Sequence, residues 1–253
     1  MLIKVDRFSL DATLSAGQTF SWFKSGDSWI RLVGGPVIVR QIDERTIEAE
    51  GESEAGIKRL LGLYDDISKI NSKINKDRFI SEAIDRSEGL RVVEDGLWPA
   101  VLGFILSIQS NISLIRRRVQ LLSRLYGEET EVEGEKFYTF PSWHSIANKP
   151  GLLSKAKLGF RSKFVESAAK RFSVEDIEAH RDGEELAEIL SSINGVGPKV
   201  LDCIMLYGLH KLSYFPMDVW IWRALKRNYP HIIGDHKSYK AVNQAICDYF
   251  GEY

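Results

Sequence analysis

The segment Leu190-Ser-Ser-Ile-Asn-Gly-Val-Gly-Pro-Lys-Val-Leu-Asp-Cys203 decides the fold of the second half of this 253-residue chain. It predicts two helices joined by a tight Gly195-Val-Gly197 turn, with Ile193 and Val196 holding the helices together. Glycine suits the turn because the backbone must bend sharply and leave its N–H groups unobstructed. Pro198 fits the first position of the second helix, where its missing N–H costs nothing. The segment therefore predicts a helix N-terminus with free amides, which favours phosphate binding.

A second motif follows nineteen residues after Lys199, in the string Tyr214-Phe-Pro-Met-Asp-Val-Trp-Ile-Trp-Arg223. Pro216 stiffens the approach, and Asp218 stands where a helix N-cap is expected. The hairpin resembles the hydrophobic-x-Gly-hydrophobic-Gly pattern of helix-hairpin-helix motifs, which bind DNA. Hairpin and aspartate together resemble the signature of the helix-hairpin-helix DNA glycosylases. Members of that superfamily with a lysine at this place are bifunctional glycosylase/lyases, and the alkylpurine members lack it.

The two halves of the chain have different apolar spacing. Apolar and polar residues alternate in the segments 29–33, 36–40 and 46–50, with turn residues between them. Beyond about residue 52 the spacing becomes helical and stays so. We predict an α+β fold, in which a twisted antiparallel β-sheet domain with an adjoining helix (1–75) precedes an all-α helix-hairpin-helix glycosylase core (76–253).

Apolar stripes and their caps predict the individual helices of the core. The hairpin occupies about 184–209. The helices are expected near 77–87, 97–109, 112–126, 142–147, 151–156, 161–171, 183–192, 198–209, 218–228 and 237–250.

Composition is that of an ordinary globular protein, with 44% hydrophobic and 27% charged residues. No apolar run is long enough to span a membrane, and no secretory signal opens the chain. The two cysteines, Cys203 and Cys247, favour an intracellular protein and are too few to ligate an iron–sulfur cluster. The net charge of −1 permits DNA binding without indicating it, although basic residues cluster at 116–118 and 155–171.

Lys199 and Asp218 are the predicted catalytic pair. Loss of a base passes through an oxocarbenium-like sugar, which a nearby carboxylate stabilises. An amine then attacks C1′ and forms a Schiff base that eases β-elimination of the 3′ phosphate. The amine must be neutral when it attacks, and its place in the first helical turn disfavours the charged form.

Further segments resemble the eukaryotic-type 8-oxoguanine DNA glycosylases. The string Leu14-Ser-Ala-Gly-Gln-Thr-Phe-Ser-Trp22 is similar to that family's Leu-Pro-Ser-Gly-Gln-Ser-Phe-Arg-Trp. The family's glycine carbonyl accepts the N7–H that 8-oxoguanine has and guanine lacks. This resemblance assigns the reading of the lesion to Gly17.

The string Ala156-Lys-Leu-Gly-Phe-Arg-Ser-Lys-Phe-Val165 is similar to the family's Gly-Leu-Gly-Tyr-Arg-Ala-Arg-Tyr-Val. The resemblance implies that Phe160 wedges into the duplex and that Arg161 approaches the orphaned base. At 107–114 the sequence departs from the family. Gln109 replaces the asparagine that fills the gap left by the flipped base, and Leu114 replaces an arginine that reads the opposite cytosine. A leucine cannot make that hydrogen bond, so we expect relaxed opposite-base discrimination.

The resemblance also assigns residues of the base pocket. Cys203 matches the cysteine on which the lesion stacks, and Gln244 matches the glutamine that reads the base edge. The stacking aromatic does not align cleanly, since the count from Gln244 ends at Asp248, so Tyr249 or Phe250 is expected in this role. Further DNA contacts are expected from the hairpin and from the position of the family's phosphate-binding histidine: Gly195, Gly197, Val200 and Trp220.

Two alternatives remain open. The same fold acts on other damaged bases, such as alkylated purines or oxidised pyrimidines, and Gly17 and Lys199 argue against these substrates. A non-enzymatic DNA-binding module would not need Asp218, because a carboxylate facing DNA weakens phosphate binding. The expected partner is double-stranded DNA containing 8-oxoguanine, and the expected enzyme is a monomer without cofactor, catalytic metal or protein partner. It is expected in the cytoplasm with the nucleoid in a prokaryote, or in the nucleus of a eukaryote.

Overall fold

The computed structural model describes residues 1–180, 185–235 and 238–251 of the chain. Five strands form one antiparallel sheet in the order β1-β5-β4-β3-β2, and two more strands pair with each other. The predicted α+β class with an N-terminal antiparallel sheet is confirmed. The strands are β1 Leu2–Lys4, β2 Trp22–Ser25, β3 Ser28–Leu32, β4 Pro36–Asp43, β5 Thr46–Glu50, β6 Glu129–Val132 and β7 Glu135–Tyr138.

The rest of the described chain is mainly helical. Two 3₁₀ helices (Pro150–Ala156 and Ile177–His180) and one π-helical turn (Ile204–Gly208) accompany the α-helices. None of the helices in the described residues is long and apolar enough to cross a bilayer. The α-helices are α1 Leu10–Ser15, α2 Glu54–Leu60, α3 Ile67–Ile74, α4 Arg78–Arg86, α5 Leu97–Ser107, α6 Ile112–Tyr126, α7 Trp143–Asn148, α8 Arg161–Val174, α9 Leu186–Ser191, α10 Pro198–Cys203, α11 Val219–Asn228, α12 Pro230–Ile233 and α13 Tyr239–Phe250.

Most helices of the structure begin and end within three residues of the predicted bounds. Residues 183, 184 and 237, where two helices and the hairpin were expected to begin, lie outside the described residues. The prediction of one regular helix over 198–209 is wrong, because α10 widens into the π-helical turn after Cys203. The carbonyls of Tyr207 and Gly208 accept the N–H groups of Asp95 and Gly96, which ends the helix against the start of α5.

The hairpin of β6 and β7 is absent from the sequence-based prediction, where 128–135 is only an acidic stretch. Its loop, Glu133-Gly134, has positive φ at both residues (54° and 80°), as a tight two-residue hairpin turn requires. Val132 and Phe137 pack under it against Ile30 of β3. Only one apolar side of a short, glutamate-rich hairpin contacts the sheet, so its periodicity is weak.

Helix α5 is the centre of the helical core. Every residue from 97 to 106 is buried, and the helix packs on α6, α8 and the π-helical turn. A helix that is apolar on all sides belongs in the middle of a domain. Because α10 and the π-helical turn also pack on it, α5 forms the floor behind Lys199.

Polar side chains fasten the sheet to the helical core. Asp95, 1% exposed, accepts a hydrogen bond from the Thr19 hydroxyl at 2.6 Å and another from Ser21, and Arg31 donates to its main-chain carbonyl at 2.7 Å. Gln18 is buried and donates to the Arg91 carbonyl at 2.8 Å. The division into domains of residues 1–75 and 76–253 stays a proposal, and these bonds would hold the two units together.

Candidate active site

The turn between α9 and α10 carries the first two predicted DNA contacts of the hairpin. Gly195 has φ +94°, and a Cβ there would lie 2.7 Å from the ring of Phe164. A side chain is therefore excluded by backbone conformation and by space. A Cβ at Gly197 would meet nothing within 4 Å. The structure leaves open space at Gly197, next to the first turn of α10, while Val200 of that turn is buried.

Lys199 is the second residue of α10 and is half-buried. Its Nζ lies 5.4 Å from the ring centroid of Phe104, a buried residue of α5. Phe104 in turn stacks on Tyr207 at 5.6 Å and meets the edge of Phe20 at 5.8 Å. The negative face of an aromatic ring attracts a cation, so these rings give the amine a defined place on an apolar floor.

Cys203 lies one helical turn after Lys199 and is 3% exposed. Burial raises the pKa of its thiol to about 11, and the charge of Lys199 opposes this shift. The carboxylate of Asp218 acts on the same thiol and raises its pKa further. Both predicted catalytic residues thus act electrostatically on the same thiol, Lys199 from α10 and Asp218 from the N-cap of α11.

Asp218 is the N-cap of α11, as the sequence predicts. Its Oδ1 accepts the backbone N–H groups of Trp220 at 2.9 Å and Ile221 at 2.8 Å. Both bonds use the same oxygen, and neither uses Oδ2. The cap fixes the orientation of the carboxylate and leaves an oxygen that can face a developing positive charge.

Gly17 has φ +84°, and a Cβ there would lie 2.9 Å from Cδ1 of Ile112. Both constraints select glycine at this position. Three residues later, Phe20 contacts the same Phe104 ring that lies under Lys199. The sheet thus brings the segment that carries Gly17 to the edge of the Lys199 site, although the two are 182 residues apart in sequence.

Phe160, Arg161 and Gln109 form one connected group. Phe160 is 47% exposed, and the Arg161 guanidinium lies 4.5 Å from its ring centroid. Arg161 is itself 6% exposed and donates to the carbonyls of Ile108 at 2.7 Å and Gln109 at 2.8 Å. Gln109 has φ +48° and an exposed side chain. In this structure Arg161 therefore holds the loop of Gln109, and its approach to the orphaned base stays a prediction.

Exposed apolar side chains stand in the first turns of α6 and α11. Trp220 is 72% exposed with Arg223 5.2 Å from its ring centroid, and its neighbour Val219 is 63% exposed. Leu114 is 42% exposed in the first turn of α6, beside Ile112, which has the same exposure. Large exposed apolar groups often mark interaction surfaces. The structure places Leu114 and Trp220 where a macromolecule can contact them.

The predicted base-edge and stacking residues lie on α13. Gln244 is exposed, and its amide donates to Asp248 at 2.8 Å. The ring centroids of Tyr249 and Phe250 are 4.8 Å apart. Both rings pack against Tyr229, with centroid distances of 5.9 Å and 5.7 Å. Both aromatic side chains therefore belong to the C-terminal cluster in this structure, and their role at the lesion stays a prediction.

Phe104 and Tyr207 are the site residues that sequence reasoning missed. Both lie in strongly apolar segments, and nothing in the spacing tells which apolar side chain will face Lys199.

Among the described residues, no group of three histidine, cysteine, aspartate or glutamate side chains could hold a metal ion.

Comparisons with known proteins agree with this architecture. The family model for the N-terminal domain of 8-oxoguanine DNA glycosylase matches residues 1–101. A probable N-glycosylase/DNA lyase of Methanothermobacter thermautotrophicus is 28% identical, over 91% of this chain and 85% of its own length. An N-glycosylase/DNA lyase of Arabidopsis thaliana is 26% identical, over 97% and 74% of the two chains.

A solved structure extends the likeness to the complete fold. The Clostridium acetobutylicum 8-oxoguanine glycosylase/lyase, in complex with double-stranded DNA containing cytosine opposite 8-oxoguanine, superposes with a TM-score of 0.87. The match covers 100% of this chain and 92% of the other, at 25% identity. This chain is similar over its full length to a known 8-oxoguanine glycosylase/lyase. The resemblance predicted from the sequence is confirmed, and the region matched by the N-terminal-domain model, 1–101, includes the whole five-stranded sheet and Gly17.

Proposed function

We propose that this glycosylase homologue is a base-excision-repair DNA glycosylase with AP lyase activity, which flips 8-oxoguanine out of double-stranded DNA and excises it. The observation that carries this proposal is that Lys199, on the second helix of the hairpin, and Asp218, the N-cap of α11, both act electrostatically on the buried thiol of Cys203. A module that only binds DNA would not need a carboxylate such as Asp218, because a carboxylate facing DNA weakens phosphate binding. The family match and the homologues named above support the same activity.

Lys199 and Asp218 would divide the chemistry. As the bond between C1′ and the base breaks, Asp218 Oδ2 stabilises the positive charge that develops on the sugar. The departing base takes up a proton from solvent, and the neutral amine of Lys199 forms a bond to C1′. One amine proton then passes to O4′ as the C1′–O4′ bond breaks, which opens the sugar and gives the protonated Schiff base. The Schiff base makes the C2′ proton acidic. Its loss breaks the C3′–O bond and releases the 3′ phosphate.

Gly17 would provide the discrimination between 8-oxoguanine and guanine. Its carbonyl would accept the N7–H of the lesion, which guanine lacks. The positive φ of Gly17 and the nearness of Ile112 exclude a side chain there, and a carbonyl held by this backbone would discriminate against a base that leaves it unpaired. Cys203 lines the same pocket from α10 in this proposal, and Phe160 fills the duplex beside the extruded nucleotide.

The partner would be double-stranded DNA, bound by a monomer. The predicted contacts come from the hairpin glycines, Phe160 and Trp220, and the two exposed side chains offer apolar surface to the duplex.

An alkylated purine or an oxidised pyrimidine is the alternative substrate. Gly17 argues against both, because neither presents the N7–H that its carbonyl would accept.

Borohydride trapping tests the proposed function. A labelled duplex with one 8-oxoguanine is incubated with the protein and sodium borohydride, using wild type, Lys199→Gln and the control Lys58→Gln. Lys58 pairs with Glu54 on α2, so its loss removes one lysine away from the hairpin. We expect adducts with wild type and Lys58→Gln and none with Lys199→Gln. Release of a different damaged base in place of 8-oxoguanine would support the alternative substrate.

A further inference from the structure

A buried carboxylate on α10 is linked by hydrogen bonds to the segment that precedes Asp218. Asp202 follows Lys199 by three residues on α10, directly precedes Cys203, and is 9% exposed. Two side chains of α13 donate to its Oδ2, the Tyr239 hydroxyl at 2.5 Å and the Asn243 amide at 3.2 Å. Hydrogen bonds to a carboxylate are stronger than those between neutral groups, so Asp202 holds α10 and α13 firmly together.

The same two donors also bind the segment that leads to Asp218. The backbone N–H of Met217 donates to the Tyr239 hydroxyl at 3.0 Å. The Asn243 amide donates to the carbonyl of Phe215 at 2.6 Å. Each side chain thus spans from Asp202 to a main-chain atom within three residues of Asp218. Two side chains thus connect the helix of Lys199 to the segment before the predicted catalytic carboxylate, one at Met217 and one at Phe215.

The segment 210–218 needs such a connection because it has no regular secondary structure. Pro216 lacks an N–H, so the backbone there can make fewer hydrogen bonds. The bridge through Tyr239 and Asn243 supplies bonds on both sides of Pro216.

We propose that Asp202, Tyr239 and Asn243 are positioning residues that set the distance between Asp218 and Lys199. The proposal rests on the proposed glycosylase function for its effect on rate, and on the described hydrogen bonds for its effect on structure. The three side chains act on the reaction only through the segment 215–217 and through α10. Since a misplacement of 1 Å can cost about 100-fold in rate, a loosened bridge would slow excision strongly.

The main test is Tyr239→Phe, which keeps the ring and removes the hydroxyl's hydrogen bonds to Asp202, Met217 and Phe215. Tyr126→Phe is the matched control, because Tyr126 is buried and its hydroxyl donates to the carbonyl of Lys149, at 3.0 Å, away from the site. Four quantities are compared: single-turnover excision of 8-oxoguanine, affinity for a duplex with an abasic-site analogue, thermal midpoint, and amide exchange of the peptide 214–221.

For Tyr239→Phe we expect excision about 100-fold slower, affinity within about two-fold of wild type, and faster exchange of 214–221. Tyr126→Phe should leave excision and this exchange unchanged. A second pair tests the carboxylate: Asp202→Asn keeps an oxygen acceptor and should retain more excision than Asp202→Ala. Such partial rescue is not expected of a site that only fills space.

The outcomes separate this proposal from the proposed function. Excision by Tyr239→Phe within about three-fold of wild type, despite faster exchange, would overturn the positioning role and leave the glycosylase function standing. Wild type that excises no 8-oxoguanine would overturn the function. In that case unchanged exchange of 214–221 in Tyr239→Phe also overturns the positioning proposal, and faster exchange supports it.

Discussion

The guanidinium of Arg161 donates to the carbonyl of Gln109 at 2.8 Å, which joins the two loops that the sequence places next to the flipped base. The same side chain also donates to the carbonyls of Ile108 and Leu158. Burial lowers the pKa of Arg161, and the nearby Arg118 lowers it further. The arginine is therefore a buried cross-link between the start of α8 and the loop after α5.

Arg161→Ala should destabilise the protein. The change leaves the buried carbonyl of Leu158 and the part-buried carbonyls of Ile108 and Gln109 without this donor. A buried group left unpaired costs about 1–3 kcal/mol. We expect a loss of about 2–3 kcal/mol in the free energy of unfolding, measured by urea denaturation. Arg86→Ala, at an exposed position of α4, should stay within about 0.5 kcal/mol of wild type. An equally small effect at Arg161 would mean that water replaces the guanidinium without cost.

Phe160→Ala should weaken function and spare stability. The side chain is 47% exposed, so its removal loses little packing. Stacking of an aromatic ring on a base contributes about 1–3 kcal/mol, which corresponds to roughly 5- to 150-fold in affinity for a lesion duplex. The measurement is fluorescence anisotropy with an 8-oxoguanine duplex. Tyr64→Ala removes another exposed aromatic, 65% exposed, and should bind like wild type; equal losses in both variants would contradict the wedge role.

Wild type should excise 8-oxoguanine opposite C, A, G and T at similar rates, because Leu114 cannot read the opposite base by hydrogen bonding. Leu114→Arg should introduce a preference for C, and a good base contact discriminates by about 1–3 kcal/mol. Single-turnover excision from the four duplexes measures both. A strong preference of the wild type for C would contradict the predicted relaxed opposite-base discrimination.

Asp95→Ala should be among the most destabilising substitutions. It leaves Arg31, 8% exposed, without a partner for its charge and removes the acceptor of Thr19 and Ser21. Breaking a buried ion pair costs about 3–5 kcal/mol. Thermal and urea denaturation measure the loss, and Asp27→Ala, in an exposed turn, is the control. A cost under about 1 kcal/mol would show that the junction between sheet and helices does not depend on this network.

Stability should depend on pH through Asp202. Burial raises its pKa from 3.8 to about 6, opposed by the Tyr239 hydrogen bond. A carboxyl group with a raised folded-state pKa contributes stability when protonated, and this contribution is lost as pH rises from about 4 to about 6. The groups around it, Tyr214, Tyr239, Cys203 and Cys247, all have raised pKa values and stay neutral in this range.

Asp202→Asn removes the titrating group and should flatten the fall in unfolding free energy between pH 4 and pH 6. Urea denaturation at several pH values measures this slope in both proteins. Identical slopes would mean that Asp202 does not titrate in this range.

The sequence by itself determined the fold class, the hairpin and the cap at Asp218. These features depend on local chemistry: alternating apolar residues for the strands, glycines and a proline for the turn before Lys199, and an aspartate at a helix start. Local chemistry also explains why the boundaries of most helices were predicted closely. The sequence did not predict the β6–β7 hairpin, because its apolar pattern is weak. It did not predict the π-helical turn either, because that turn depends on the hydrogen bonds from Asp95 and Gly96.

Tertiary structure alone decided which residues surround the site. Phe104 and Tyr207 lie under Lys199 because α5 packs on α10, and Phe20 joins them because a buried aspartate fastens the sheet to α5. The bridge from Asp202 through Tyr239 to Met217 joins residues 37 and 22 positions apart. Such contacts have no periodicity along the chain, because they arise only when separate helices pack.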